Sequence, residues 1–249
     1  MILEARGLSV GFGGVRAVQD FSFGVRAGSI TALIGPNGAG KTTVFNLLSG
    51  FLRPDAGEIF FQQKSLENLK AHDVCRLGLA RTFQIVQPFA GQSVRENIAV
   101  GAHLRLAGRA EALAAAEAVA GRVGLASQLD KPAESLTISG RKRLELARAL
   151  ATRPRLLLLD EVLAGLNPRE IADVLPVIRG LRDSGVTVLM VEHVMQAVMS
   201  LCDEAWVLSD GRLIAHGAPA AVTADPAVIE AYLGQGTAAR LAAREVARA

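Results

Sequence analysis

The strongest chemical signal is Gly35-Pro36-Asn37-Gly38-Ala39-Gly40-Lys41-Thr42, which has the spacing G-x-x-x-x-G-K-[ST]. Glycines so placed let the backbone curl until its N–H groups converge into a nest for an anion. A short apolar run, residues 30–34, precedes the loop. Residues 41–50 follow it with Val44, Leu47 and Leu48 on one helical face. The loop therefore joins a strand to a helix, and the helix dipole adds positive potential where phosphates would sit. Lys41 puts a cation on the β- and γ-phosphates of a nucleotide. Thr42 offers a hydroxyl to Mg2+, and Thr43 completes the nucleotide-binding stretch.

A second signal is Leu156-Leu157-Leu158-Leu159-Asp160-Glu161. A run apolar at every position suits a parallel strand covered on both faces, and ligand sites of open α/β sheets lie at the carboxyl ends of such strands. Asp160 can hold Mg2+ through water, and Glu161 can polarise a water that attacks the γ-phosphate. By itself an Asp-Glu pair here is more often a strand end meeting solvent. With a phosphate loop upstream, the functional reading prevails.

The elements that must position these residues follow from patterning. Phe21, Phe23 and Val25 alternate in a half-buried strand over 18–26. Further strands are expected at 30–34, 58–63 and 79–84. Ser93-Val94-Arg95-Glu96 is a capping box that opens a helix. Residues 109–122 are rich in Ala with interspersed Glu and Arg, and another helix is expected over 142–152. Asn167-Pro168-Arg169-Glu170 reads as a helix start. Residues 186–191 form a second buried strand, and 205–209 and 212–216 flank the hairpin signal Asp210-Gly211. Strands alternating with helices predict an α/β fold with a mostly parallel sheet and an N-terminal antiparallel β region. The expected domain covers 1–235, with a core of 1–84 and 151–235 and an inserted helical lobe at 85–150. A frayed or loosely helical Ala/Arg-rich tail is expected at 236–249.

Composition narrows the function classes. The chain has 249 residues, half of them hydrophobic and 20% charged, so a sizeable core is available and wholesale disorder is excluded. A net charge of +3 is too small to argue for a nucleic-acid partner. The two cysteines, Cys75 and Cys202, are too distant in sequence for a metal or redox motif and read as small buried hydrophobes. The first six residues lack the order of a signal peptide, and no uncharged apolar stretch approaches about 18 residues. The expectation is a cytosolic protein that docks on a membrane protein.

Taken together, these motifs resemble the ATP-binding subunits of ABC transporters over nearly the whole chain. The resemblance implies ATP hydrolysis coupled to transport, with ATP and Mg2+ as ligands. Phe12 resembles the upstream aromatic that stacks on adenine, although alone it reads as a core Phe. Arg81-Thr82-Phe83-Gln84 resembles the glutamine loop, in which Gln84 reaches Mg2+ and the attacking water and senses the membrane subunit. Ala164-Gly165-Leu166-Asn167 resembles the loop that crosses the dimer interface. Val191-Glu192-His193 resembles the switch segment, with His193 on the γ-phosphate. Phe12-Gly13-Gly14, Glu96-Asn97-Ile98, Ala164-Gly165-Leu166-Asn167-Pro168 and the stretch from Asp225-Pro226 to Leu233-Gly234 resemble the branched-chain amino-acid uptake branch.

One motif departs from the family. Without gaps, Leu136-Thr137-Ile138-Ser139-Gly140 stands where the signature L-S-G-G-Q is usual. Thr137 keeps a hydroxyl, Ser139 replaces the second glycine and Gly140 replaces the glutamine. A shifted register would make Ser139-Gly140 the Ser-Gly pair but needs a two-residue deletion before the helix. A Val, Val162, also follows Glu161 where the family has Pro. The resemblance implies a head-to-tail dimer with a second ATP-binding subunit, identical or paralogous, whose ATP faces Thr137, Ser139 and Gly140. It further implies permease subunits, a solute-binding protein acting indirectly, and a peripheral place on the cytoplasmic face of the inner membrane. A soluble ABC ATPase and a weakly hydrolysing nucleotide-gated module are the alternatives.

Overall fold

The computed structural model describes residues 1–234; the expected tail at 236–249 lies outside the described residues. The first strand, β1 (Leu3–Phe12), buries Leu3, Ala5, Leu8 and Val10. Its phase changes between Ala5 and Leu8, where Gly7 takes φ +60° at an irregularity in the ladder. β2 (Val15–Val25) pairs with it antiparallel, and β3 (Ile30–Ile34) is buried at every position. α1 (Lys41–Leu48), β4 (Ala56–Phe61), β5 (Lys64–Ser65), α2 (Ala71–Leu77) and β6 (Leu79–Arg81) follow. α3 (Val94–Ala102) starts at the expected capping box, with both Ser93–Glu96 bonds formed. After α4 (Arg109–Arg122), α5 (Ile138–Ala151) and β7 (Leu156–Asp160) comes α6 (Pro168–Asp183), boxed by Asn167 and Glu170. β8 (Thr187–Val191), α7 (Met195–Leu201), β9 (Glu204–Ser209), β10 (Arg212–Gly217), α8 (Pro219–Thr223) and α9 (Pro226–Leu233) complete the described chain.

The chain forms two compact units. The first comprises 1–68 and 191 onward. It holds an antiparallel sheet in the order β2-β1-β4-β5 and the strands β10-β9-β3, in which β3 and β9 run parallel. Asp210 and Gly211, both at positive φ, make the turn of the β9–β10 hairpin. The second unit, 69–190, holds β8-β7-β6, with Leu79, Ala80 and Arg81 in parallel register with Leu156, Leu157 and Leu158. Between β6 and β7 the chain runs through α3, α4 and α5. Ala112, Ala116 and Ala120 form the buried stripe of α4. The stretch 85–150 thus lies wholly in the second unit, together with β6, β7 and β8.

Several boundaries differ from the sequence expectation. α5 begins at Ile138, four residues before 142, because the Thr137 side chain accepts the Gly140 N–H and caps the helix there. The strand expected over 79–84 ends at Arg81, leaving Gln84 in a loop. The strand expected to reach 63 ends at Phe61, since Gln62 and Gln63 both turn at positive φ. β1, β5, α2, α7, α8 and α9 were not foreseen, the helices being five to eight residues long.

Both cysteines are thiols, and both are partly exposed rather than the fully buried hydrophobes expected. Burial, then the carboxylates of Asp203 and Glu192, push the Cys202 thiol up to about 12; burial also raises Cys75. Near pH 8 the thiolate fraction of Cys202 is then roughly a thousandfold below that of an ordinary thiol. Cys202 should therefore react with iodoacetamide far more slowly in the folded chain than in urea. Equal rates by peptide mapping would contradict the raised thiol pKa.

Candidate functional site

In the first unit β3 delivers the chain into the phosphate loop. Gly35, Gly38 and Gly40 take φ of +151°, +80° and +103°, values that side chains rarely adopt. A Cβ on Gly35 would run into the Leu208 carbonyl oxygen and one on Gly40 into that of Ala17, so β9 and β2 leave no room there. The hairpin pins the loop from outside, the Gly211 N–H donating to the Ala39 oxygen at 3.0 Å. Lys41 is only 6% exposed, and its Nζ donates to the Gly35 and Pro36 oxygens at 2.8 Å each. Pro36, Asn37 and Ala39 fill the curl, and Thr42 and Thr43 occupy the first turn of α1. The Tyr232 phenol on α9 accepts the Gly35 N–H, and partial burial raises its pKa.

Two other expected residues belong to the same unit. Phe12 ends β1 and is half exposed, not a core Phe; Gly13 and Gly14 follow at positive φ. The ring is thus accessible for stacking. His193 follows β8 and is exposed, with Glu192 beside it buried.

In the second unit the four buried leucines of β7 bring Asp160 to the strand end, where it is 2% exposed. A lone carboxylate at that depth is costly. Arg81, from the end of β6, donates Nη2 to its Oδ2 at 2.7 Å, both side chains being less than a tenth exposed. Thr82 secures the same point: its Oγ1 accepts the Asp160 N–H at 3.1 Å, and its own N–H donates to the Leu158 oxygen at 2.9 Å. This seam places Gln84, whose Nε2 donates to Glu161 Oε2 at 2.7 Å. Glu161 takes φ +49°, a sparsely populated conformation for a non-glycine residue. The structure therefore brings Asp160, Glu161 and Gln84 together within this unit.

The departing motif lies in the first turn of α5. Thr137 is the cap, and Ser139 and Gly140 lie within the helix. Ser139 does not take the left-handed conformation that a glycine position can demand. Its N–H is kept in a helix N-terminus, the geometry suited to a phosphate oxygen.

The oxygens of Asp160 and Glu161 and the amide of Gln84, all in the second unit, are hard donors of the kind Mg2+ takes. Among the described residues no group of three or more His, Cys, Asp or Glu is arranged to hold a metal. A cation completed by phosphate oxygens and water does not require one. Sequence reasoning missed Arg81 as the partner of Asp160, Tyr232 at the loop, and Lys142, whose ammonium reaches the Gln84 and Glu161 oxygens. The signal available for Lys142 was its place with Glu145 and Arg148 on one stripe of a helix, at i, i+3 and i+6.

Comparison with known proteins follows the same motifs. Residues 18–164 match the family model described as "ABC transporter", and residues 212–238 match "Branched-chain amino acid ATP-binding cassette transporter". The high-affinity branched-chain amino acid transport ATP-binding protein LivG of Salmonella typhimurium is 39% identical, over 94% of this chain and 98% of that protein. The corresponding BraF of Pseudomonas aeruginosa is 40% identical over 94% of this chain and 98% of its own. Among solved structures, a nucleotide-free ATP-binding cassette from an ABC transporter superposes with a TM-score of 0.86 at 29% identity, covering 94% of this chain and 99% of that one. An ADP-bound cassette gives 0.85 at 30% identity, with the same coverages.

The Arg81–Asp160 pair generates a stability prediction. Arg81→Met leaves a buried carboxylate unpaired and should cost about 3–5 kcal/mol, with the melting temperature falling accordingly. Adding Asp160→Asn should recover most of the loss. Denaturant titration showing under about 1 kcal/mol for Arg81→Met would mean that Asp160 is balanced elsewhere.

Proposed function

The chain belongs to the ABC transporter family of ATP-binding subunits, and on that premise we propose that it hydrolyses ATP to drive uptake of branched-chain amino acids or a related small solute. The observation that carries the reading is the Gln84–Glu161 hydrogen bond beside the buried Asp160. Residues 35–43 bind the polyphosphate through converging N–H groups, with Lys41 turning from its loop oxygens to the β- and γ-phosphates. Phe12 stacks on the adenine. Thr42, Gln84 and Asp160 would hold Mg2+, which when bound would offset phosphate charge and polarise the transferred phosphoryl group. Glu161 takes the proton of the attacking water, Gln84 fixes the orientation of its carboxylate, and His193 contacts the γ-phosphate.

The ungapped register of the departing motif is supported by the Thr137 cap, which puts hydroxyl and N–H groups at one helix N-terminus. Thr137, Ser139 and Gly140 then face ATP held by a second subunit, identical or paralogous. Retention of the Ser139 N–H favours hydrolysis over a purely nucleotide-gated role. The partners are permease subunits, with a solute-binding protein upstream and no nucleic acid. Among the described residues no helix is long and apolar enough to cross a membrane. The proposed location is peripheral, on the cytoplasmic face of the plasma membrane.

Two variants separate binding from chemistry. Lys41→Ala should lose most nucleotide binding by equilibrium dialysis. Glu161→Gln should bind ATP normally, release almost no phosphate and prolong the dimer. Equal loss of binding in both would make Glu161 structural. The permease is expected to dock on the exposed apolar residues after Gln84, since Ile85 is 75% and Phe89 39% exposed. Ile85→Ala and Phe89→Ala should weaken permease pull-down with ATP affinity unchanged; undiminished pull-down would move the docking surface elsewhere.

A further inference from the structure

α5 turns three charged side chains, Lys142, Glu145 and Arg148, onto one stripe at i, i+3 and i+6. The stripe does not face solvent: Lys142 is 8% exposed and Glu145 7%. All three meet the main chain of residues 83–89. Glu145 accepts the Phe83 N–H, while burial raises its pKa against the pull of Arg148. Lys142 Nζ donates to the Gln84 oxygen at 3.2 Å. Arg148 Nη1 donates to the Gln87 oxygen at 2.9 Å, and its guanidinium lies 4.5 Å from the centre of the Phe89 ring.

Lys142 makes one further bond, to the Glu161 main-chain oxygen at 3.1 Å. One buried ammonium therefore joins the backbones of the two residues whose side chains meet at 2.7 Å. Burying an ammonium carries a heavy desolvation penalty that an apolar side chain of similar length would avoid. What the charge gives in return is geometry. Glu161 occupies a left-handed backbone conformation that persists only where surroundings restrain it.

We infer that Lys142 is a positioning residue for hydrolysis: by holding the Gln84 and Glu161 carbonyls it fixes the angle at which the Glu161 carboxylate is presented. It also makes that angle depend on α5, the helix whose first turn is 137–140. Lys142 lies two residues beyond this segment on the same helix, so a displacement of the helix start is carried directly to Glu161. The inference rests on the reading of Glu161 as the base, and its test keeps the two apart.

The test compares the full-length chain with Lys142→Met, Lys142→Arg and Glu161→Gln. It measures MgATP turnover, ATP affinity, and amide hydrogen exchange of the nucleotide-free chain. Lys142→Met should lose about 10–100-fold in kcat with KM and ATP affinity within about twofold. Exchange over 83–89 should rise while that of the phosphate loop stays unchanged. Lys142→Arg, which keeps a charged donor, should recover most of the turnover. Wild-type turnover in Lys142→Met, with Glu161→Gln inactive, would overturn the positioning role and leave the base intact. Unaltered exchange over 83–89 would overturn it as well. Normal turnover in Glu161→Gln would remove the base itself, and the positioning role with it. Should Lys142→Met not fold, Lys142→Gln replaces it: a drop with Gln but not with Arg supports the role, and equal turnover in both overturns it.

Discussion

The second unit is organised around one costly object, a carboxylate at the end of β7 that is 2% exposed. Four buried leucines carry Asp160 to that depth, and no charge survives there without a partner. Arg81 supplies the opposite charge from the neighbouring strand, and Thr82 supplies a hydroxyl to the backbone of Asp160. Those two bonds fix where the chain leaves β6, so they also decide where Gln84 falls. The parallel register of β6 with β7 brings the two strand ends side by side and makes both possible. A site able to hold a cation must keep its carboxylate oriented, and the 2.7 Å bond from Arg81 does so.

From that point the arrangement spreads through α5. Its inward-facing charges are all spent on loop backbone rather than on one another alone, which ties residues 83–89 to the helix. Ile85 and Phe89 in that segment remain partly open to solvent. The proposed coupling of transport to hydrolysis thus has a short physical route: an exposed apolar edge, a loop held by three charged side chains, and a carboxylate whose backbone is held by one of them. The phosphate loop of the first unit is built differently. Its conformation is enforced by exclusion, because strand carbonyls stand where side chains would have to be at Gly35 and Gly40.

The phosphate loop, the Leu-run before Asp160 and the capping boxes at Ser93 and Asn167 were legible in the sequence because each is a local device with its partners within a few residues. β1 escaped notice because the bulge at Gly7 breaks the period-two pattern that marks a strand. The start of α5 was misjudged because Ile-Ser-Gly is a poor helical opening by propensity, and a single hydroxyl cap overrides it. Arg81 and Lys142 were invisible for a different reason. Arg81's partner lies 79 residues away and those of Lys142 lie 19 and 58 away, and only the fold brings them together.

The central claim is that this chain itself carries the chemistry for cleaving ATP, with a cation held at Asp160. A single-turnover measurement tests it most directly: the full-length chain in excess over γ-labelled ATP, with and without Mg2+. The account predicts phosphate release approaching the amount of bound nucleotide with Mg2+, and binding without release when the cation is chelated. Stoichiometric binding with Mg2+ present and no phosphate released would contradict it.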